Sequence, residues 1–406
     1  MDDTTSLRSG PLQGLRILDM ATVVAAPFAA TLCGDLGATV TKLELPDGSD
    51  TLRHMLPIMD EHALFWKVTN RGKRGISLDV RKPEGRALLL KMLPETDVLV
   101  ENFRTGTMDR WGLDLKTLHA HNPDLIVLRV TGFGQTGPYA DRPGFARIFE
   151  AMSGFANLTG EVGRSPQHMN YPLGDVIAGL FGAFAIAAAV AGRANQPPGT
   201  ARGCEIDLAA TEALFRMLDP LAVEHQLMGF VRARTGARAH YSPLSNIFAT
   251  RDNKWLTIVG TSGATYGRIL EAIGRADLLS DERFVSPAAR LRNGDLVDKM
   301  VADWCRGQDL ATLEVVLRQH QVPHSKVYDI EDVLADPQFQ ARKAVIELPD
   351  PDLGPLAAPG VVPRFSGYGT THPRSGPAVG EHNAEVLGEF GVTTEELVRL
   401  KALGVV

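Results

Sequence analysis

Cysteine is scarce: Cys33, Cys204 and Cys305 are the only three in 406 residues, widely spaced and without a CxxC pair. That argues against a disulfide framework or a zinc ribbon and fits buried thiols in a reducing compartment. An excess of positive charge is also missing. Lys and Arg total 42 against 48 Asp and Glu, for a formal charge of −6, so no basic surplus points to nucleic acid or an anionic membrane. Residues 1–10 are polar and lack the apolar core of a signal peptide. The longest apolar run, 176–192, is rich in Ala and Gly and falls short of the roughly twenty residues a membrane span needs. It reads as a buried helix, and the chain as a cytoplasmic protein with no membrane or nucleic-acid partner. HExxH and GxSxG are absent, which leaves metalloprotease and esterase chemistry without support. His119 and His121 lack a third ligand nearby, so no metal is expected.

What is present is globular: 44% apolar and 22% charged residues. At about 150 residues per domain the length allows two to three domains. Residues 15–20 (LRILDM) and 38–45 (ATVTKLEL) read as buried strands, and between them Pro27 suits a first helical turn and Gly37 a helix stop. The pattern repeats through 75–80 (GISLDV), a helix over about 84–93, 97–101 (DVLVE) and 125–131 (LIVLRVT). Strands alternating with helices predict a parallel sheet covered on both faces, with ligands beyond the carboxyl ends of the strands. Residues 145–158 and 176–193 read as helices, followed by a strand over 204–208 and a helix from about Thr211. The basic stretch 233–242 marks a crossing into a second unit with a strand at 255–259 and helices near 264–273 and 295–305. The expected organisation is a large domain over 1–227, a smaller α/β domain over 228–321, and a return to the large domain over 322–406. Pro349 to Pro377 reads as surface chain, and Thr393 with Glu396 as a capping box opening the last helix.

Three motifs carry candidate chemistry. Gly132-Phe-Gly134-Gln135-Thr-Gly137 matches GxGxxG after a strand, but Pro138 follows at once and no helix continues, so it reads as a tight turn needing positive φ. The residues 260–267 lack the GK[ST] ending of a phosphate loop. Basic residues cluster near strand ends: Lys73, Arg74, Arg81, Lys82, Arg104 and Arg110. They either converge on the phosphates of an anionic ligand or form a solvated rim. Asp175 follows Gly174 at the head of an apolar helix. It is either an N-cap or a nucleophile, since a helix N-terminus favours the carboxylate over the acid.

Six collinear segments then carry a resemblance over about residue 11 to the end, weakest between about 225 and 320. They are PLQGLRILDMATVVAAPFAATLCGDLGATVTKLELP, NRGKRGISLDVRKPEGR, DVLVENFRTGTMDRWGL, NPDLIVLRVTGFGQTGPYADRPGF, LGDVIAGLFGAFAIAAAVAGR and VGEHNAEVLGEFG. Together they resemble the class III CoA-transferases, the family of formyl-CoA transferase and the carnitine CoA-transferases. The resemblance implies an α/β fold: a Rossmann-like large domain built from both termini, a smaller middle domain, and a homodimer of two interlocked chains.

The family's catalytic aspartate falls on Asp175 in the Gly174-Asp175 motif. Its CoA contacts fall on Val23, Val24 and Ala25, on Leu78 and Arg81, on Asn102, Phe103 and Arg104, and on Arg110. Leu45 and Pro46 stand where the family often has an arginine, and no glycine-rich flap like that of formyl-CoA transferase is visible, so formyl and oxalate are not the expected acids. The reaction implied is transfer of CoA, a co-substrate with no bound cofactor, from an acyl-CoA to a carboxylate through an aspartyl anhydride and an aspartyl-CoA thioester. Gly132 to Gly137 offer backbone donors for the oxyanions, each worth about 3 kcal/mol in acyl-transfer sites. Succinyl-CoA is the expected donor and a dicarboxylate the expected acceptor, with Gly134, Gln135, Arg234, Arg238, His240 and Tyr241 as candidate contacts; the last four otherwise belong to a solvated basic linker. An α-methylacyl-CoA racemase needs a His-Asp pair where this chain has Phe145 and Ala146. Retention of Asp175 argues against a silent CoA-binding subunit.

Overall fold

Short, largely apolar runs dictate the central sheet, with only its edge strand at 204–209 exposing one polar face through Glu205 and Asp207. Strands β1 (Arg16–Asp19), β2 (Thr39–Glu44), β3 (Arg74–Ser77), β4 (Val98–Glu101), β5 (Ile126–Thr131) and β6 (Cys204–Ala209) lie in the order β3-β2-β1-β4-β5-β6. Every pairing is parallel, with Ile17 opposite Val98 and Leu18 opposite Leu99 between β1 and β4. The computed structural model describes residues 10–197, 200, 202–369 and 371–406. The polar stretch 1–10 read for a signal peptide lies, apart from Gly10, outside the described residues.

Alternate residues feed two cores, as the period of two in a strand requires. Leu18, Leu43, Ile76, Leu99 and Val127 point to one face, where Leu88, Leu89 and Met92 of α2 (Pro83–Met92) and the C-terminal Val386, Leu387 and Leu400 cover them. Ile17, Val40, Val98, Val100 and Leu128 point to the other, under α1 (Ala25–Asp35) and the longer helix α4 (Leu173–Ala194).

Helix α4 begins three residues before the apolar run that announced it, because Leu173 and Gly174 join its first turn. By length and composition it is apolar enough to cross a membrane. It packs on α1 through small residues: a Cβ on Gly179 would meet the Ala25 carbonyl oxygen at 2.6 Å. Leu180 and Phe184 on its other side are exposed. The single helix expected over 145–158 is two, α3 (Ala146–Met152) and a turn at Phe155–Leu158, since Gly154 at φ +90° breaks it. Cys33 and Cys305 are buried and Cys204 partly so; all three are free.

Two compact units are present. The first takes the described residues up to Phe155, Met169–Ala222 and Ala341–Val406; the second takes Ala156–His168 and Val223–Gln340. The second holds an antiparallel sheet of β7 (Ser245–Ala249), β8 (Trp255–Val259) and β9 (His324–Lys326) around a core of Phe248, Leu256, Ile258, Tyr266, Ile269, Val297 and Leu313. Where the sequence placed the return to the large domain, over 322–328, the chain instead adds β9 to this sheet, so the second unit runs on to Gln340. Its short early piece, Ala156–His168, carries no composition shift that the sequence made visible.

Candidate active site

The sheet's winding reverses between β1 and β4, so the segments that leave their carboxyl ends diverge and open a crevice. Residues 20–24 follow β1 and residues 102–104 follow β4. Asn102 joins them, its Oδ1 accepting the Thr22 N–H at 2.8 Å and its Nδ2 donating to the Thr22 carbonyl at 2.7 Å. Glu101 accepts the Phe103 N–H at 2.7 Å, and the Phe103 ring packs edge-on to Trp111. The amide of Asn102 is thus spent on shaping the crevice.

Asp175 enters from α4. The helix is capped by Pro172 without a side-chain bond, so Asp175 sits in its first turn and is not its N-cap. Close approach fixes the position: a Cβ on Gly174 would stand 2.8 Å from the Ala146 carbonyl oxygen, and the Gly174 N–H donates to Glu150 Oε1 at 3.1 Å. The Asp175 carboxylate takes no hydrogen bond among the described residues. Burial, followed by the neighbouring Glu150 carboxylate, pushes its acid up from 3.8 to about 7. The sequence reading had the helix terminus holding it ionised; desolvation and a like charge act the other way, and the carboxyl titrates near neutrality.

Val24, Ala25, Asn102, Phe103 and Arg104 line one cavity with Asp175. Arg104 is exposed and has no acidic partner among the described residues. Arg142, which sequence reasoning passed over, lies in the same wall, its guanidinium over the rings of Phe133 and Tyr139 at 5.7 and 5.3 Å. The DRPG run in which it stands was part of a quoted segment and was the available signal. A wider, more apolar cleft opens on the other side of Asp175, with Met55, Leu56, Phe65 and Tyr171 in its wall; Val23, Val24 and Phe145 border both.

Other candidates lie elsewhere. Leu78 is fully buried in the core, Arg81 is held by Asp79 at 2.7 and 2.9 Å, and Arg110 donates to Thr107. None of the three lines the cavity. Lys73 is buried against Asp19, Arg74 pairs with Glu385 and Glu389, and Lys82 binds the carbonyls of Leu403 and Gly404. The glycine loop is a tied turn: the Gly134 N–H goes to Thr131 and the Gln135 N–H to Asp207, so those two amides are not open to an oxyanion. Gly132 alone of the loop reaches the cavity.

In the second unit Arg238 pairs with Asp295 and Asp298, whereas Arg234 donates to Asn157 and has no acidic partner among the described residues. His240 stacks on Phe230, and Tyr241 is exposed. Among the described residues no group of three or more His, Cys, Asp or Glu is placed to hold a metal.

The comparisons with known proteins agree on one family. The model of CoA-transferase family III matches residues 12–383. The chain is 36% identical over 398 residues to a succinyl-CoA–D-citramalate CoA-transferase of Chloroflexus aurantiacus, covering 98% of each. It is 38% identical over 415 residues to the β subunit of a succinyl-CoA–L-malate CoA-transferase of the same organism, covering 100% of each. A crystal structure of a CAIB/BAIF family protein from Brucella suis matches with a TM-score of 0.82 at 31% identity, over 94% of this chain and 100% of that one.

Proposed function

The chain belongs to CoA-transferase family III and is a CoA-transferase; from that premise we propose that it moves CoA from succinyl-CoA to a small dicarboxylate, with Asp175 as the covalent carrier. The observation that carries this reading is the Asp175 carboxyl, without a hydrogen-bond partner among the described residues and titrating near neutrality at the junction of two hollows. One hollow holds Arg104 and Arg142, cations without an acidic partner among the described residues and suited to the phosphates of CoA. The relatives named for succinyl-CoA with citramalate and malate support the donor and the class of acceptor.

The steps close on themselves. An Asp175 oxygen attacks the thioester carbon of succinyl-CoA, the C–S bond breaks, and CoA leaves as thiolate from a mixed anhydride. The thiolate attacks the aspartyl carbonyl, which expels succinate and leaves an aspartyl-CoA thioester. The acceptor carboxylate attacks that thioester and releases the thiolate. Thiolate attack on the acceptor's acyl carbon of the new anhydride then gives acceptor-CoA and restores the Asp175 carboxylate. Each intermediate is an activated acyl group, so the energy of the thioester is conserved and no redox step enters. Phe145 and Ala146 beside Asp175 supply no proton-transfer group, which favours transfer over a racemase.

The exposed Leu180 and Phe184 on α4 are assigned to a second copy of the chain, in line with the interlocked homodimer the resemblance implies. The relatives named for malate are also named as subunits, so the same experiment measures mass in solution and activity of the chain alone. A panel of acyl-CoA donors and carboxylic acids, followed by mass spectrometry, tests the reading: succinyl-CoA with C4 to C6 dicarboxylates should give the fastest exchange. Exchange confined to long or aromatic monocarboxylates would overturn the substrate class.

A further inference from the structure

Val23 stands at φ +63°, in the left-handed region that a β-branched residue avoids. It borders both hollows that meet at Asp175. A strained residue persists only where its surroundings over-determine it, and here they do. Beneath residues 21–23 lie four charged side chains that are 0 to 5% exposed: Asp19, Lys42, Asp50 and Lys73. Two positive and two negative charges leave the cluster neutral. Lys42 lies 3.8 Å from Asp19 and 3.9 Å from Asp50, and Lys73 lies 2.8 Å from Asp19.

The backbone of the loop takes what the cluster offers. Asp19 accepts the Ala21 N–H at 3.0 Å, and Lys42 donates to the Ala21 carbonyl. Asp50 accepts the Val23 N–H at 3.1 and 3.3 Å and the Leu52 N–H at 3.0 Å. With Asn102 holding both backbone groups of Thr22, the chain is pinned from Ala21 through Val23. Four charges removed from water bear a desolvation cost that an apolar core would avoid, so packing alone does not account for them. A shaped backbone next to the nucleophile does.

We propose that Asp50, paired with Lys42 in this buried cluster, is a positioning residue that holds Val23 in its left-handed conformation beside Asp175. The site's loop is then set by a residue 27 positions downstream that does not line the cavity containing Arg104 and Arg142. The proposal rests on the transferase reading above. It deepens that reading by naming what fixes the geometry of the substrate-facing backbone.

The test compares Asp50→Asn and Asp50→Glu with wild type in steady-state transfer from succinyl-CoA, alongside thermal unfolding. Wild-type activity comes first, since its absence with every donor refutes the function and not the positioning. Asp50→Asn keeps an acceptor oxygen but removes the charge facing Lys42, and kcat should fall at least about tenfold with the KM for succinyl-CoA within about twofold. A folded Asp50→Asn protein with wild-type kcat, or with its loss expressed in KM, overturns the proposal. If that variant does not fold, Asp50→Glu decides. Glutamate keeps the negative charge facing Lys42 but carries its carboxylate one methylene out of register with the Val23 N–H, so the protein should fold while kcat falls at least about tenfold. Unchanged kcat in a folded Asp50→Glu protein overturns the proposal as well.

Discussion

Asp175→Asn should make the protein more stable at pH 8 and much less so at pH 5. The folded chain keeps the Asp175 proton up to about pH 7, whereas an ordinary aspartate releases it near 3.8. Below the lower value both states are protonated and the residue is neutral in the balance. As pH rises the unfolded chain loses its proton first, so folded stability declines through this window, and the whole cost is present above about 7. A rise from 3.8 to about 7, at about 1.4 kcal/mol per pH unit, caps that cost near 4 kcal/mol. Removing the ionisable group should recover most of that cost at pH 8, roughly 3–4 kcal/mol. At about 2–4 °C per kcal/mol for a unit of this size, melting should rise by about 6–16 °C at pH 8. At pH 5 only about two-fifths of the increment should remain. Thermal unfolding followed by circular dichroism at both pH values measures it. Equal melting temperatures at pH 8, or an increment as large at pH 5, would refute the reasoning that burial and Glu150 disfavour the ionised Asp175 carboxylate.

The remaining predictions concern the neighbours of Asp175 and the two arginine groups. Glu150→Gln keeps an acceptor for the Gly174 N–H and removes the like charge. Because burial is the larger cause, the acid limb of kcat/KM should move down by about one pH unit, raising activity at pH 6 about fivefold relative to pH 8; an unmoved limb contradicts the pairing. Arg104→Ala and Arg142→Ala should each raise the KM for acyl-CoA about tenfold while the acceptor KM holds, because a lost phosphate contact is uniform binding. Arg81→Ala, whose side chain is already bound by Asp79, should change little, and a larger effect there than at Arg104 would reverse the assignment. Arg234→Met should weaken dicarboxylates at least about tenfold more than monocarboxylates of equal length. Arg238→Met strands Asp298 and should lower the melting temperature without changing the preference; equal selectivity effects at the two arginines would refute the distinction.

The parallel sheet was legible because its inner strands are short, largely apolar runs between turn residues and are buried on both faces, while the edge strand β6 alternates, with Glu205 and Asp207 exposed. Asp175 was legible through its motif, but its environment was not. Glu150 lies twenty-five positions earlier, and nothing in the sequence announces that α3 and α4 bring the two carboxyls together. Asn102 shows the same limit from the other side. The motif marked it as a ligand contact and it does line the cavity, but its hydrogen bonds to Thr22, eighty positions away in the neighbouring strand's loop, could not be read from sequence. The cations could not be told apart in the sequence for a common reason: Arg81, Arg238 and Lys73 each find a carboxylate in the fold, and only the folded chain shows that Arg104, Arg142 and Arg234 find none among the described residues. Val23 is the hardest case. A valine predicts extended backbone, whereas here it turns left-handed in a loop that Asp50 and Asn102 bind from elsewhere in the chain.

Covalent capture on Asp175 tests the central claim most directly. Wild-type protein incubated with succinyl-CoA in the absence of acceptor, quenched in acid and digested, should yield the peptide containing Asp175 with the mass of CoA less one water. Adding the acceptor acid before the quench should clear that adduct at the rate of turnover. Turnover without any adduct, an adduct on another residue, or wild-type transfer by Asp175→Asn would contradict the account.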